Sequence, residues 1–324
     1  MIVDSTNETA GRFLLELYRG TRSVTGSDFR KWALELLTRF VRFDSAFWGM
    51  GYMIDEIVVT AFTLHNQPLE MMVNYERWKE LDPLVEHLAC APGTTIDMFD
   101  VISQEEFSKT EMYKDHSKPF GIEQTLATLV MDPVTRLLNA VSIYRSDPLQ
   151  YFSPDEKAFM QFITPHLIEA ATLNYFHGLL LEGEHGSSIV VSSHDGMLYQ
   201  VESEVAGLLQ REWPEWKGPA LPEPLRQKVC GEDFSSYQGS HIRVDFQPRG
   251  DQCHLLLHEF GPFDRLTRRE RQIAEQLAQG RPYKEIGREM GLAPSTVTNH
   301  ANHIYRKLGV RNKAELARIH PPGQ

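Results

Sequence analysis
The chain has 324 residues, 41% hydrophobic and 24% charged, with 44 acidic against 33 basic side chains and a formal net charge of −11. That length predicts two or three domains, and the apolar share suffices for real cores, which excludes disordered and collagen-like classes. The overall acidity speaks against a nucleic-acid-coating protein or a polybasic membrane binder.

The charge is unevenly placed. Residues 264–324 hold 12 Lys and Arg against 6 Asp and Glu, a net of +6, which leaves −17 on residues 1–263. A small basic tail on a large acidic body predicts two functions, and only the tail suits a polyanion. Three widely spaced cysteines (Cys90, Cys230, Cys253) form neither a disulfide framework nor a CxxC clip, so a reduced cytoplasmic setting without a metal site is expected. Asp4 and Glu8 precede the first apolar stretch, which does not read as a signal peptide. No run approaches the ~18–20 apolar residues that span a bilayer, so no membrane partner is expected.

In chain order, residues 5–20 and 26–42 read as amphipathic helices with Phe13, Leu14, Leu17, Phe29, Trp32, Leu36 and Phe40 on their apolar faces. Strand-like runs follow at Ala46–Tyr52 and Glu56–Leu64. The stretch 68–89 reads as helical, interrupted before Asp82-Pro83, and 103–117 as a polar helix. Gln124–Met131 and Arg136–Tyr144 form a hairpin around Asp132-Pro133. Ser153-Pro154-Asp155-Glu156 is a capping-box start for a long helix to about Tyr175. Residues 181–187 read as a linker. Behind it come strands Ser188–Val191 and Met197–Val201 around Asp195-Gly196, and a helix at 203–210. A proline-rich connector over 213–224 follows, then strands His241–Phe246 and Gln252–Glu259. The order is that of an α+β body.

The tail is all-helical. Thr267 and Glu270 form a capping box, and the first helix stops at Gly280. A second helix from Pro282 stops at Gly291, and a three-residue turn leads to Pro294. In the third, Val297, Ala301, Ile304 and Leu308 recur at 4, 3, 4 spacing. Asn312 starts a fourth, short helix. Two helices joined by a three-residue Gly turn predict a helix-turn-helix. The third helix buries one stripe and leaves the opposite face free for the ~12 Å major groove. That face offers Ser295, Thr298, Asn299 and Asn302 for base edges. Lys284, Thr296, Arg306, Lys307 and Arg311 complete the expected DNA-binding set, the cations as partners of phosphates.

Leu266-Thr267-x-Arg269-Glu270, Lys284-Glu285-Ile286, Ser295-Thr296-Val297-x-x-His300 and Ile304-x-x-Lys307-Leu308-Gly309-Val310 resemble, in register over about 60 residues, the DNA-binding domain of LuxR-type transcription regulators. The resemblance implies a third helix that reads the major groove, base contacts at Thr298, Asn299 and Asn302, and dimers on roughly palindromic sites. Thr298 stands where the family commonly has Lys, and Ala293 where it commonly has a Ser N-cap.

Asp44–Gly51, Leu81-Asp82-Pro83-Leu84, Phe152-Ser153-Pro154-Asp155 and Pro165-His166-Leu167 resemble segments of a GAF-type sensory domain with a ligand cavity. The hairpin around Asp195-Gly196 and its following helix resemble a reduced PAS-type domain. The resulting expectation is a GAF-like sensing domain over 1–180, a PAS-like unit over 187–260 and a four-helix helix-turn-helix domain over 263–324. Trp48, Tyr52, Phe62, Tyr75, Trp78 and Asp82 are the candidate ligand-binding residues, since such cavities combine aromatics with a few polar anchors. Trp78 with Asp82-Pro83 resembles the Trp, Tyr and Asp set of lactone-binding relatives in compressed form, without a Tyr midway between them. A hydrophobic or aromatic metabolite is therefore the expected signal.

No P-loop, GxGxxG, HExxH, GxSxG or paired Cys/His set occurs, so neither an enzyme nor a cofactor is expected. The predicted protein is a homodimeric, cytoplasmic regulator of promoter DNA with a small-molecule effector and RNA polymerase as a further partner. The alternative is a regulator controlled by a protein partner through a cavity-free interaction module.

Overall fold
The computed structural model describes residues 5–54, 56–181, 188–202, 204–259 and 262–319. The first unit begins with helices α1 (Ser5–Gly20) and α2 (Phe29–Leu37), followed by strands β1 (Ser45–Met53) and β2 (Ile57–His65). Helix α3 (Leu69–Tyr75), a 3-10 turn at Lys79–Leu81 and α4 (Pro83–Cys90) come next. Then follow β3 (Thr95–Asp97), α5 (Met98–Val101), α6 (Gln104–Lys109) and a π-helical turn at Tyr113–Ser117. The hairpin β4 (Gln124–Met131) and β5 (Leu137–Arg145) leads to the long helix α7 (Pro154–Leu181). The sheet is antiparallel in the order β2-β1-β5-β4-β3.

One face of that sheet packs on α1, α2 and α7. Trp48, Leu126, Val141 and Ile143 meet Phe13, Leu17, Leu34, Leu37, Met160 and Ile163 there, all fully buried. Burial of this kind contributes ~25 cal/mol per Å² of apolar surface. The corner is tied by Arg145, a buried cation. It donates to the carbonyls of Arg42, Gln150 and Tyr151, pairs with Glu156 at 2.6 Å and lies 3.9 Å over the Phe152 ring. Ser153 and Glu156 close the expected capping box at the start of α7.

The second unit contains β6 (Ser188–Ser193), β7 (Leu198–Val201), α8 (Val205–Glu212), α9 (Glu223–Cys230), β8 (Tyr237–Gln238), β9 (Ile242–Arg249) and β10 (Gln252–Glu259). Its antiparallel sheet has the order β7-β6-β10-β9-β8, over a core that includes Val190, Leu198, Leu209, Leu225, Val244 and Leu255. The expected linker falls on residues 182–187, outside the described residues. Helix α9 and strands β3 and β8 are additions to the expected elements. Pro222 is the N-cap of α9 and Pro224 lies in its first turn, where proline starts a helix instead of breaking it. Strand β9 runs on through Pro248 and Arg249, past the expected end of that strand at Phe246.

The two units touch through the end of α7, where Phe176 and Leu179 pack on Ile189 and Val191, and through the β4–β5 turn. Gly218 N–H donates to the Val134 carbonyl at 2.9 Å, and Val134 and Leu137 pack on the second core. A Cβ on Gly218 would lie 1.9 Å from the Thr135 carbonyl oxygen, so only glycine permits this approach. The Tyr199 hydroxyl donates to the Thr60 carbonyl at 3.0 Å.

The third unit follows a 3-10 turn at Pro262–Arg265. It comprises α10 (Arg268–Ala278), α11 (Tyr283–Met290), α12 (Pro294–Leu308) and α13 (Lys313–Arg318). Ile273, Ala274, Leu277, Ile286, Val297, Ala301, Ile304 and Leu316 form its core.

Candidate functional site
The third unit presents α12. Its core stripe is Val297, Ala301 and Ile304, with Leu308 half-buried at the end. Helical spacing puts Ser295, Asn299, Asn302 and Arg306 on the opposite face, where all four are exposed. Thr298 flanks this stripe and its hydroxyl donates back to the Pro294 carbonyl at 3.0 Å. Thr296 is half-buried in the first turn. Ala293 is the N-cap and supplies no side-chain hydrogen bond, with Pro294 beginning the helix. Gly291 ends α11 at φ +65°, the left-handed conformation that the turn requires. Gly287 lets the turn close tightly, since a Cβ there would lie 2.6 Å from the Leu292 carbonyl oxygen.

The cations divide into two groups. Lys284, Arg306 and Arg311 are exposed and make no ion pair with a described residue, as does Arg288, one turn after Lys284. Lys307 is different. Its ammonium donates to both oxygens of Glu270 at 2.9 and 2.7 Å. Glu270 is 7% exposed, and the His303 ring also contacts it at 3.1 Å. The expected role of Lys307 as a phosphate contact thus meets a structural one, because its position points toward the α10 N-terminus. Burial alone would raise the Glu270 carboxyl, but hydrogen bonds from Lys307, the Thr267 N–H and His303 hold it down at about 2. Arg269 donates to the Met290 carbonyl at 2.7 Å and so caps the end of α11.

The first unit holds a cavity of about 280 Å³ on the sheet face opposite the helical core. Strand periodicity explains its floor. Leu138, Ala140, Ser142 and Tyr144 of β5, Thr125, Ala127 and Leu129 of β4, and Phe47 and Gly49 of β1 all point to it. Residues from α3, α4, α5 and the π-turn cover it, including Tyr75, Asp82, Leu84, Leu88, Met98, His116 and Ser117. Five of the chain's 11 methionines (Met53, Met71, Met72, Met98, Met112) line it. Adaptable thioethers suit a site that closes around an apolar body.

Of the six expected ligand residues, Tyr75 and Asp82 line this cavity and the others do not. Trp48 is fully buried on the opposite face and donates to Asn139 Oδ1 at 3.3 Å. Strand parity separates it from its neighbours Phe47 and Gly49. Tyr52 lies beyond a bulge at Met50/Gly51. Phe62 stacks on Phe47 with centroids 6.3 Å apart, but is 37% exposed. Trp78 packs in the neighbouring cluster of Leu84, Leu88 and Met98, with its indole N–H buried and unpartnered.

Polar groups gather at one end. The Tyr75 hydroxyl donates to Asp82 Oδ2 at 2.9 Å, and the Leu84 N–H donates to Oδ1 at 2.9 Å. Burial raises the Asp82 carboxyl, although these two hydrogen bonds oppose it. Burial also pushes the Tyr75 and Tyr144 hydroxyls upward. His116 hydrogen-bonds Asn74 at 2.8 Å, and burial lowers its imidazole to about 4. Charged lining residues are the acids Glu56, Glu76, Glu80 and Asp82 and a single lysine, Lys79. Lys79 lies 3.1 Å from Glu76 and 3.8 Å from Glu56. Among the described residues no cluster of His, Cys, Asp and Glu could hold a metal, and no helix is long and apolar enough to cross a membrane.

Residues 264–320 match the family model described as bacterial regulatory proteins, luxR family. The chain is 57% identical over 58 residues to transcriptional regulatory protein UhpA of Escherichia coli (strain K12), covering 18% of this chain and 30% of UhpA. It therefore spans about a third of UhpA's length. It is 41% identical over 184 residues to the probable transcriptional regulatory protein NarL of Mycobacterium tuberculosis (strain ATCC 25618 / H37Rv), covering 55% of this chain and 83% of that protein. A crystal structure of Escherichia coli SdiA aligns over 95% of both chains at 12% identity with a TM-score of 0.39.

Proposed function
This chain belongs to the LuxR family of bacterial regulatory proteins, and on that premise we propose that it is a transcription regulator whose promoter binding responds to a small molecule. The observation that carries the DNA half is the exposed Ser295, Asn299, Asn302 and Arg306 stripe on α12, opposite a fully buried one. The observation that carries the ligand half is the largely apolar cavity with its Tyr75–Asp82 pair. A largely apolar cavity of that kind favours a small molecule over control by a partner protein through a cavity-free module.

In this reading residues 1–180 are a GAF-like sensor, 187–260 a reduced PAS-like unit and 263–324 the DNA reader. The protein works in the cytoplasm as a homodimer, has no catalytic role, and meets RNA polymerase at the promoter. Two reading helices then address half-sites ~34 Å apart. Mobility-shift titration of the full chain on its own upstream DNA tests this at several salt concentrations. Asn299→Ala is expected to lower discrimination at one base pair by ~1–3 kcal/mol. Arg306→Ala is expected to weaken all sequences and reduce the salt slope by about one. Salt-independent binding, or none by a folded dimer, would overturn the proposal.

A further inference from the structure
We propose that the cavity of the first unit selects uncharged ligands bearing a hydroxyl or N–H group, and that His116, oriented by Asn74, is the hydrogen-bond acceptor that reads that group. The proposal rests on the reading of this cavity as a ligand site.

His116 sits in the π-helical turn Tyr113–Ser117, a geometry that often re-aims side chains at functional sites. Its Nδ1 lies 2.8 Å from Asn74 Oδ1. An amide oxygen only accepts, so Nδ1 carries the hydrogen. The ring is neutral near pH 7, in keeping with a burial that lowers its pKa to about 4. A neutral ring with Nδ1–H leaves Nε2 as a bare lone pair. Nε2 has no hydrogen-bond partner among the described residues, and His116 is one of the residues that line the cavity. The rings of Tyr75 and Phe120 pack against the imidazole, their centroids 5.3 and 5.5 Å from its own.

A ligand oxygen without a hydrogen, placed here, would face that lone pair. A hydroxyl or N–H would satisfy it. Anions face a further barrier, since Glu56, Glu76, Glu80 and Asp82 outnumber Lys79 in the lining. The sequence pattern held no sign of this acceptor, because it depends on which way one non-standard turn aims its fourth residue.

The test uses the full chain and three probes of one shape: 4-butylphenol, its methyl ether and 4-butylbenzoate. Binding is read by thermal unfolding and tryptophan fluorescence. The phenol is expected to bind at least about tenfold more tightly than the ether, and the benzoate not to bind. His116→Phe keeps the ring and removes the acceptor. It should bring phenol affinity down toward that of the ether without lowering the affinity for the ether. Asn74→Asp should hold the imidazole charged, with a hydrogen on both nitrogens, and remove the preference for the phenol. Equal losses for phenol and ether in His116→Phe, or a retained preference in both variants, would overturn the proposal. Equal binding of all three probes by the unaltered chain overturns donor selection but leaves the ligand site standing. Binding of none removes both.

Discussion
Glu270 shows how one side chain can serve two elements. It closes the capping box of α10, with Thr267 N–H donating to it at 2.8 Å, and it receives Lys307 from the end of α12. Lys307→Met is therefore expected to destabilise the DNA-binding unit by ~1–3 kcal/mol, the usual cost of leaving a buried acceptor short of its partner. The slope of promoter affinity with salt should stay unchanged, whereas Arg306→Ala lowers that slope with little effect on stability. Acid gives a second check. The Glu270 carboxyl is held at about 2, below its ordinary 4.5, so its contribution is complete above pH ~4.5 and is lost as pH falls toward 2. Thermal unfolding between pH 2 and 6 should show that loss, and Lys307→Met should flatten it.

The same scale shows what could be read without coordinates. Asp82-Pro83 marked a helix start, and Tyr75 lies two turns earlier in an apolar stretch, so both cavity residues stood out. Trp48 stood out equally, yet β1 turns it away from the cavity. Alternation identifies two faces of a strand, but only the tertiary fold decides which one meets α1, α2 and α7. Likewise, adjacent residues on a helix point about 100° apart, and that rotation separates Arg306, in solvent, from Lys307, on Glu270.

Among the elements, the helix-turn-helix was the most legible, because each of its boundaries is written in local chemistry. Thr267 and Asn312 cap, Pro294 starts and Gly291 stops. The less visible requirement is Gly287, inside α11. Gly287→Ala introduces a Cβ 2.6 Å from the Leu292 carbonyl oxygen, so the turn must move. The expected outcome is a melting midpoint several degrees lower for this unit, since ~1 kcal/mol corresponds to ~4–8 °C in a domain of this size. Weaker binding to all DNA sequences in a mobility shift should accompany it. Helix α9 and strand β3 were illegible for opposite reasons: the prolines of α9 imitate a connector, and β3 spans only Thr95–Asp97, too short for any alternation.

At the scale of the whole molecule, the charge division acquires a direction. A body of −17 is repelled by DNA and a reader of +6 is drawn to it, so acidity in the total confines contact to one end. One of the contacts that join the body units is where the β4–β5 hairpin, whose strands floor the cavity, rests on Gly218. Gly218→Ala is expected to separate sensing from response. A cavity ligand such as 4-butylphenol should still raise the unfolding midpoint, but should no longer change promoter affinity in a mobility shift. Loss of both effects, or of neither, would contradict this role for the contact.

Leu137 and Leu138 are consecutive residues of that hairpin, one packed on the second unit and the other lining the cavity. A coupling that runs through them has no preferred sense of travel. Thermodynamic reciprocity requires that whatever factor the ligand applies to DNA affinity, DNA applies to ligand affinity. If the proposed ligand coupling holds, the promoter is itself an effector of the sensor, and molecules resting on their operator would respond to a different concentration of signal from those free of DNA.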